Sequence, residues 1–312
     1  MCENVTELQQ TTDTLLMVSP DDFGFNEETA KSNAFQNEMS ASKEDVMREF
    51  NSMVETLRMN SVRVLVMPSR TDARTPDAVF PNNWFSVHAT ERPEEKKLVL
   101  YPMLAENRRL EIQTDNLIGI LKREGIKVSQ TVDLSSYVNE YMFLEGTGSI
   151  ILDRVNKIAY VALSPRSSPA MIDIFAERMG YKPLTFSSFD KNKQLIYHTN
   201  VMMSVGSNFA VVSLDSISDA TERDALSNQL RTTNKEIVPI TLEQVANMAG
   251  NILEVKSTDG QAKIVMSETA YNAFTPAQRL TLSRYGHLVP VNIKTIETVG
   301  GGSARCMLAE IF

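Results

Sequence analysis

The stretch from Ser149 to Thr185 reads SIILDRVNKIAYVALSPRSSPAMIDIFAERMGYKPLT. Two short apolar runs, Ser149–Leu152 and Ile158–Leu163, predict strands. Pro169–Met179 predicts a helix, and Lys182–Thr185 a third strand. The same order recurs on both sides. Downstream, Val201–Val205 and Phe209–Leu214 are strands, Ala220–Leu230 a helix and Glu236–Ile240 a strand. Then come Ile252–Val255 and Lys263–Met266, a helix over Pro276–Arg284 with proline in its first turn, and His287–Val291. Upstream, Trp84–His88 and Lys97–Tyr101 precede a helix over Arg109–Glu124 and a strand over Lys127–Gln130. Four strand–strand–helix–strand modules result. A fifth is completed if the terminal run Met307–Ala309 pairs with Leu15–Val18, ahead of a helix over Ser42–Met59 and a strand over Val62–Met67. Units of about 50 residues predict a ring or propeller. The modules do not repeat one another's sequence, so the reading rests on element order. A doubly wound sheet would alternate single strands with helices, and the doubled strands disfavour it.

Composition narrows the function. The chain has 312 residues, 42% hydrophobic and 22% charged, with a net charge of −8 and no basic blocks. It has material for a large core, its length allows one large domain or two ordinary ones, and 1–14 is expected to be a flexible tail. Nucleic acid and anionic membrane are poor partners for such a surface. No apolar run approaches the length of a bilayer span. The N-terminus lacks the basic and apolar segments of a secretory signal. Two cysteines, Cys2 and Cys306, do not make a disulfide framework, so a reducing, cytoplasmic setting is expected. His88, His198 and His287 lack metal-site spacing, so neither metal nor cofactor is expected. A homo-oligomer is left open.

Chemistry concentrates in four places. Gly300-Gly301-Gly302-Ser303-Ala304-Arg305-Cys306 joins three glycines to a cysteine. On position alone Cys306 reads equally as a nucleophile at the mouth of a turn or as a buried structural thiol. The other three are the loops Phe80-Pro81-Asn82-Asn83-Trp84, Phe143-Leu144-Glu145-Gly146-Thr147-Gly148 and Tyr197-His198-Thr199-Asn200. Each has a bland reading: Asn82-Asn83 as a turn pair, Glu145 as a turn cap, His198 as a structural histidine, Arg166 as a surface residue. Their recurrence at corresponding module positions weakens those readings. Together they bring a thiol, a proton shuttle, a carboxylate and neutral amides toward one axis.

These residues carry a resemblance. Phe23-Gly24-Phe25-Asn26, the string Thr75–Trp84, Pro102–Arg109, Leu144–Ser149, Tyr197–Met203 and Gly300–Cys306 resemble the guanidine-modifying superfamily, the penteins. Within it the chain is most similar to the amidinotransferase-like, citrulline-utilisation hydrolases, relatives of arginine deiminase and dimethylarginine dimethylaminohydrolase. The resemblance implies a five-bladed α/β propeller of ββαβ modules, a single catalytic domain over 1–312 that acts on a small-molecule amino-acid substrate. It implies that Cys306 attacks the central carbon of a guanidinium or ureido group. His198 would protonate the leaving amine and then activate water, Glu145 would grip substrate nitrogens, and Arg166 would bind the substrate α-carboxylate.

The chain departs from the deiminase pattern in a telling way. Asn82-Asn83 and Asn200 stand where that pattern has carboxylates. A guanidinium is a cation that only donates, whereas a ureido group is neutral and both donates and accepts. Amides therefore favour citrulline, hydrolysed to ornithine, carbon dioxide and ammonia, with Asp77 as the carboxylate able to restore the charge. Hydrolysis of dimethylarginine or arginine, transfer of the amidino group to an amine, and a catalytically silent binding scaffold are the alternatives.

Overall fold

The computed structural model describes residues 8–38 and 41–312. The expectations for Cys2 and the first part of the tail lie outside the described residues. The strands are β1 (Thr14–Val18), β2 (Arg63–Met67), β3 (Phe85–Ala89), β4 (Glu95–Leu100), β5 (Lys127–Asp133), β6 (Ile150–Asp153), β7 (Ile158–Ala162) and β8 (Lys182–Phe186). They continue with β9 (Met203–Val205), β10 (Phe209–Val212), β11 (Glu236–Pro239), β12 (Leu253–Lys256), β13 (Ala262–Ser267), β14 (His287–Val291) and β15 (Ala309–Ile311).

These strands form five three-stranded sheets on one plan: β3-β4-β5, β6-β7-β8, β9-β10-β11, β12-β13-β14 and β15-β1-β2. In each, the first two strands are antiparallel and the last two parallel. A parallel step needs a crossover, and helices supply it. The fifth sheet closes as its element order predicts. Thr14 pairs with Ile311, Leu15 with Glu310 and Leu16 with Ala309. First strands lie inward, β15 against β3, and β9 against β6 and β12. The architecture is a five-bladed α/β propeller.

Burial explains the strand order. Middle strands β1 and β7 are buried along their whole length, as expected where both faces are covered. The outer strands β8 and β11 are largely exposed. The helix Lys43–Met59 turns Val46, Phe50, Met53, Val54 and Leu57 onto β1 and β2. Its Ser42 cap accepts from the Asp45 amide at 3.0 Å, a contact that stabilises the helix by about 1 kcal/mol.

Three local expectations need correction. Residues 8–14 are not a loose tail: Gln10 is buried, donates to the Leu152 carbonyl at 2.8 Å and accepts from the Arg154 amide at 2.8 Å. The predicted helix Arg109–Glu124 is two pieces, Glu106–Arg109 and Thr114–Arg123. The first strands of three modules start late, because a helical turn precedes each: Gly146–Ser149, Thr199–Met202 and Ala304–Met307. Apolar runs alone cannot distinguish such a turn from a strand.

Candidate active site

Those turns build the site. Each first strand is entered through one, at Pro81–Asn83, Gly146–Ser149, Thr199–Met202 and Ala304–Met307, with a turn at 247–250 before β12. The turns touch one another, so the residues on them share a small space. A Cβ on Gly148 would come within 2.3 Å of Asn83 Nδ2 and 2.8 Å of His198 Nδ1. Glycine at 148 is what lets the first three turns meet.

Glu145, fully buried, is the hub. Its Oε2 lies 2.7 Å from His198 Nε2 and accepts from Arg166 Nη1 at 3.3 Å. Its Oε1 accepts from the Leu104 amide at 3.0 Å. Burial alone would raise its pKa, but the Arg166 charge and the His198 hydrogen bond hold it well below the usual carboxylate range. Burial pushes His198 down to about 4, against the pull of Glu145. The pair is therefore a carboxylate and a neutral imidazole. A carboxylate only accepts, so Nε2 carries the proton and Nδ1 keeps its lone pair.

Arg166 is fastened as well as charged. Nη2 donates to Ser32 Oγ at 2.7 Å and to the Thr29 carbonyl at 3.1 Å, and the guanidinium lies over the Tyr197 ring, 4.7 Å from its centre. Tyr197 donates to the Gly301 carbonyl at 2.7 Å.

The Cys306 thiol is buried and faces two amides. Asn200 Nδ2 and Asn251 Nδ2 each lie 3.3 Å from Sγ. The Asn251 orientation is forced, because its Oδ1 accepts from the Arg305 amide at 3.0 Å. Asp77 Oδ2 accepts from Asn26 at 2.8 Å and from Thr29 at 2.9 Å, while its Oδ1 has no partner. Burial raises its pKa despite Arg108. A small cavity is lined by Asp77, Asn83, Arg108, Arg166, His198 and Cys306, with Phe80 and Tyr197 beside them.

Of the residues expected from the sequence, Cys306, His198, Asn83, Arg166 and Asp77 line this cavity, while Glu145 holds His198 and Arg166, Asn82 accepts from Asn83, and Asn200 faces the thiol. Sequence reasoning missed two residues. Asn251 holds the position just before the first strand of the fourth module, as Asn200 does in the third, so module phase was the available signal. Arg108 carried no such mark; it is buried, pairs with Glu111 and donates to Asn83. A Cβ on Gly300 or Gly302 would meet the Phe80 ring at 2.7 or 2.9 Å, and Gly301, at φ +64°, ends the preceding helix. Gly300 and Gly302 thus make room for the Phe80 ring, and both line the cavity beside Cys306.

The chain matches the family model of eukaryotic N,N-dimethylarginine dimethylhydrolase over residues 19–312. It belongs to that family, and through it to the penteins. No curated protein matches it in sequence. Among solved structures, the N-terminal domain of ArgZ, a cyanobacterial arginine dihydrolase, bound to substrate, has a TM-score of 0.73 at 15% identity over 96% of this chain and 97% of that one. AgrE with ornithine and NAD+ gives 0.71 at 17% identity, over 96% of this chain and 39% of that one. Pseudomonas aeruginosa DDAH with citrulline gives 0.61 at 14%, over 97% and 100%. At these identities the likeness is one of fold. Family membership makes the chain a cysteine-dependent hydrolase of guanidino-type C–N bonds. Among the described residues, no group of three His, Cys, Asp or Glu could hold a metal ion, and no helix is long and apolar enough to cross a membrane.

Proposed function

We propose that this family member hydrolyses the ureido carbon of citrulline, giving ornithine, carbon dioxide and ammonia. The observation that carries this reading is a set of buried polar atoms without partners: the donor Asn82 Nδ2 and the acceptors Asn200 Oδ1 and Asp77 Oδ1. Buried polar groups need partners. A ureido group offers a carbonyl to the donor and N–H groups to the acceptors. A guanidinium has no acceptor for Asn82.

In this reading His198 Nδ1 takes the thiol proton and Cys306 sulfur adds to the ureido carbon. The resulting imidazolium, held by Glu145, returns the proton to the δ-nitrogen as the C–N bond breaks. Ornithine leaves, and a carbamoyl group stays on sulfur. Water, deprotonated by His198, cleaves that thioester-like bond. The carbamate released breaks down to carbon dioxide and ammonia, so one water is consumed overall. A reactive free thiol suits a reducing compartment such as the cytoplasm.

A second reading is arginine as substrate. The Asp77 carboxylate, with one oxygen free, favours it, and ArgZ is an arginine dihydrolase. Dimethylarginine, named by the family, and amidino transfer to an amine in place of water are the remaining variants. The test is product analysis with citrulline, arginine and dimethylarginine offered separately. Ornithine from citrulline is expected. Citrulline released from arginine, without ornithine from citrulline, would overturn the ureido reading. Cys306→Ser should lose several orders of magnitude of turnover, since serine lacks an easily formed anion.

A further inference from the structure

We infer that Glu111, acting through Arg108, is a positioning residue that fixes the Asn82–Asn83 pair with a donor left free for the substrate carbonyl. The inference rests on the ureido reading for its consequence, and on hydrogen-bond polarity for its geometry. Glu111 lies on the turn just after Glu106–Arg109 and takes both sides of a fork. Its Oε1 accepts from Arg108 Nε at 2.9 Å and its Oε2 from Nη2 at 2.8 Å. Nη2 also reaches the Phe80 carbonyl at 3.2 Å. What remains is Nη1, which donates to Asn83 Oδ1 at 2.5 Å.

From there every sense is forced. A guanidinium cannot accept, so Asn83 must present oxygen to Arg108. Its Nδ2 is then the only group that can face Asn82, and it donates to Asn82 Oδ1 at 3.1 Å. Asn82 is left with Nδ2 buried and without a partner, next to Asn83, which lines the cavity that holds Cys306. Asparagine carboxamides otherwise turn over easily, since oxygen and nitrogen are nearly the same size. A chain of two asparagines offers a donor or an acceptor according to what pins its far end. Here a carboxylate–arginine fork pins it, and both members are buried. Asp77 lies 4.0 Å from Arg108 Nε but takes its own hydrogen bonds from Asn26 and Thr29. Glu111 alone closes the fork.

Without the Glu111 charge the fork faces a mixed donor and acceptor. Arg108 is then free to release Asn83, and the pair can reverse to leave an unpaired acceptor in place of the donor. That state suits a group that only donates, a guanidinium. Glu111 thereby sets the preference for ureido over guanidino substrates without touching either.

The test compares Glu111→Gln and Glu111→Asp with the unaltered enzyme. In Glu111→Gln, kcat/KM for citrulline should fall at least tenfold, and the citrulline-to-arginine ratio should fall at least tenfold as well. Glu111→Asp, which keeps the charge, should recover most of the ratio. Alkylation of Cys306 by iodoacetamide should stay within about twofold, reporting an assembled site. Equal fractional losses on both substrates would overturn the inference, since a brace for the fold would lower both together. Side-chain 1H–15N spectra read the geometry without any substrate. The Arg108 Nε–H and Asn83 amide signals should move in Glu111→Gln, and unchanged signals would overturn the positioning role. If the unaltered enzyme releases no ornithine from citrulline, the ureido reading fails on that result, and the spectra still decide the positioning role.

Discussion

Replacing Glu145 by glutamine keeps the heavy-atom count at the hub but removes its charge and half its acceptor capacity. The carboxylate accepts from three donors: His198, Arg166 and the Leu104 amide. A glutamine can turn its oxygen toward His198 and Arg166 or toward Leu104, but not both. One donor is then opposed by an N–H, and a buried donor left unsatisfied costs about 1–3 kcal/mol. Arg166 also loses its ion-pair partner. Breaking a buried pair costs about 3–5 kcal/mol, reduced here because Ser32 and the Thr29 carbonyl still hold the guanidinium. A net loss of about 4 kcal/mol is expected at pH 7, a large share of the stability of an ordinary domain. Urea unfolding of Glu145→Gln against the parent measures it, with turnover followed on the folded fraction. Turnover should fall about 10²–10⁴-fold, as the imidazolium loses its counter-charge. The deficit has a pH signature. Glu145 is depressed in the folded state, so its contribution is complete above the unfolded value near 4.3 and fades as pH falls below it. The gap between variant and parent should therefore narrow in acid. A loss under about 1 kcal/mol with turnover retained would refute the hub reading of Glu145.

With His198 pushed down to about 4, the acid limb of kcat/KM should lie near 4 rather than 6.5, and a limb at 6.5 would exclude the neutral imidazole as the controlling base. The same depression makes stability complete above about 6.5 and lost as pH falls toward 4, by roughly 1.4 kcal/mol per unit; His198→Asn should flatten that slope in calorimetric scans. Gly148→Ala should cut kcat about 10²-fold, because a methyl group 2.3 Å from Asn83 and 2.8 Å from His198 must displace one of them; unchanged kinetics would mean the turns do not hold the catalytic groups in place. Asn251→Ala removes the acceptor of the Arg305 amide and a donor to Cys306, so stability should drop about 1–3 kcal/mol and Cys306 alkylation should slow.

Most of the fold was readable because its signal is order rather than composition. Short buried strands such as β7 read as apolar runs, and proline at 169 and 276 marks two crossover helices at their first residues. Even the closing pair, β15 on β1, followed from asking which runs lacked a partner. What was lost was the boundary between turn and strand. Thr199–Met202 and Gly146–Ser149 contain buried residues throughout, so nothing in their hydrophobicity separates them from the strands they lead into. Their curvature comes from neighbouring turns that occupy the space a straight strand would cross, and that is tertiary information. Gln10 escaped for a related reason. A polar residue near a terminus reads as solvated, and only the Leu152 carbonyl and Arg154 amide waiting across the ring make its burial favourable.

The site was legible as a set of residue types and illegible as a distribution of charge. Cys306, His198, Glu145 and the asparagines stand out because they recur at one module phase. Their charges cannot be judged singly, because partners decide them. Glu145 is spent on His198 and Arg166, and Glu111 on Arg108. Arg166, expected to await a substrate carboxylate, already has three partners on this chain. Among the residues expected from the sequence, what is left over is small: one amide donor, one amide acceptor and one oxygen of Asp77. A buried site binds what its unpaired atoms can satisfy, not what its total inventory of charges suggests. By that measure the asparagines matter more than the arginines, although the arginines are the more conspicuous. The single unspent carboxylate oxygen of Asp77 is then the one feature pulling toward a cation, opposed by a free N–H on Asn82 that a cation cannot satisfy.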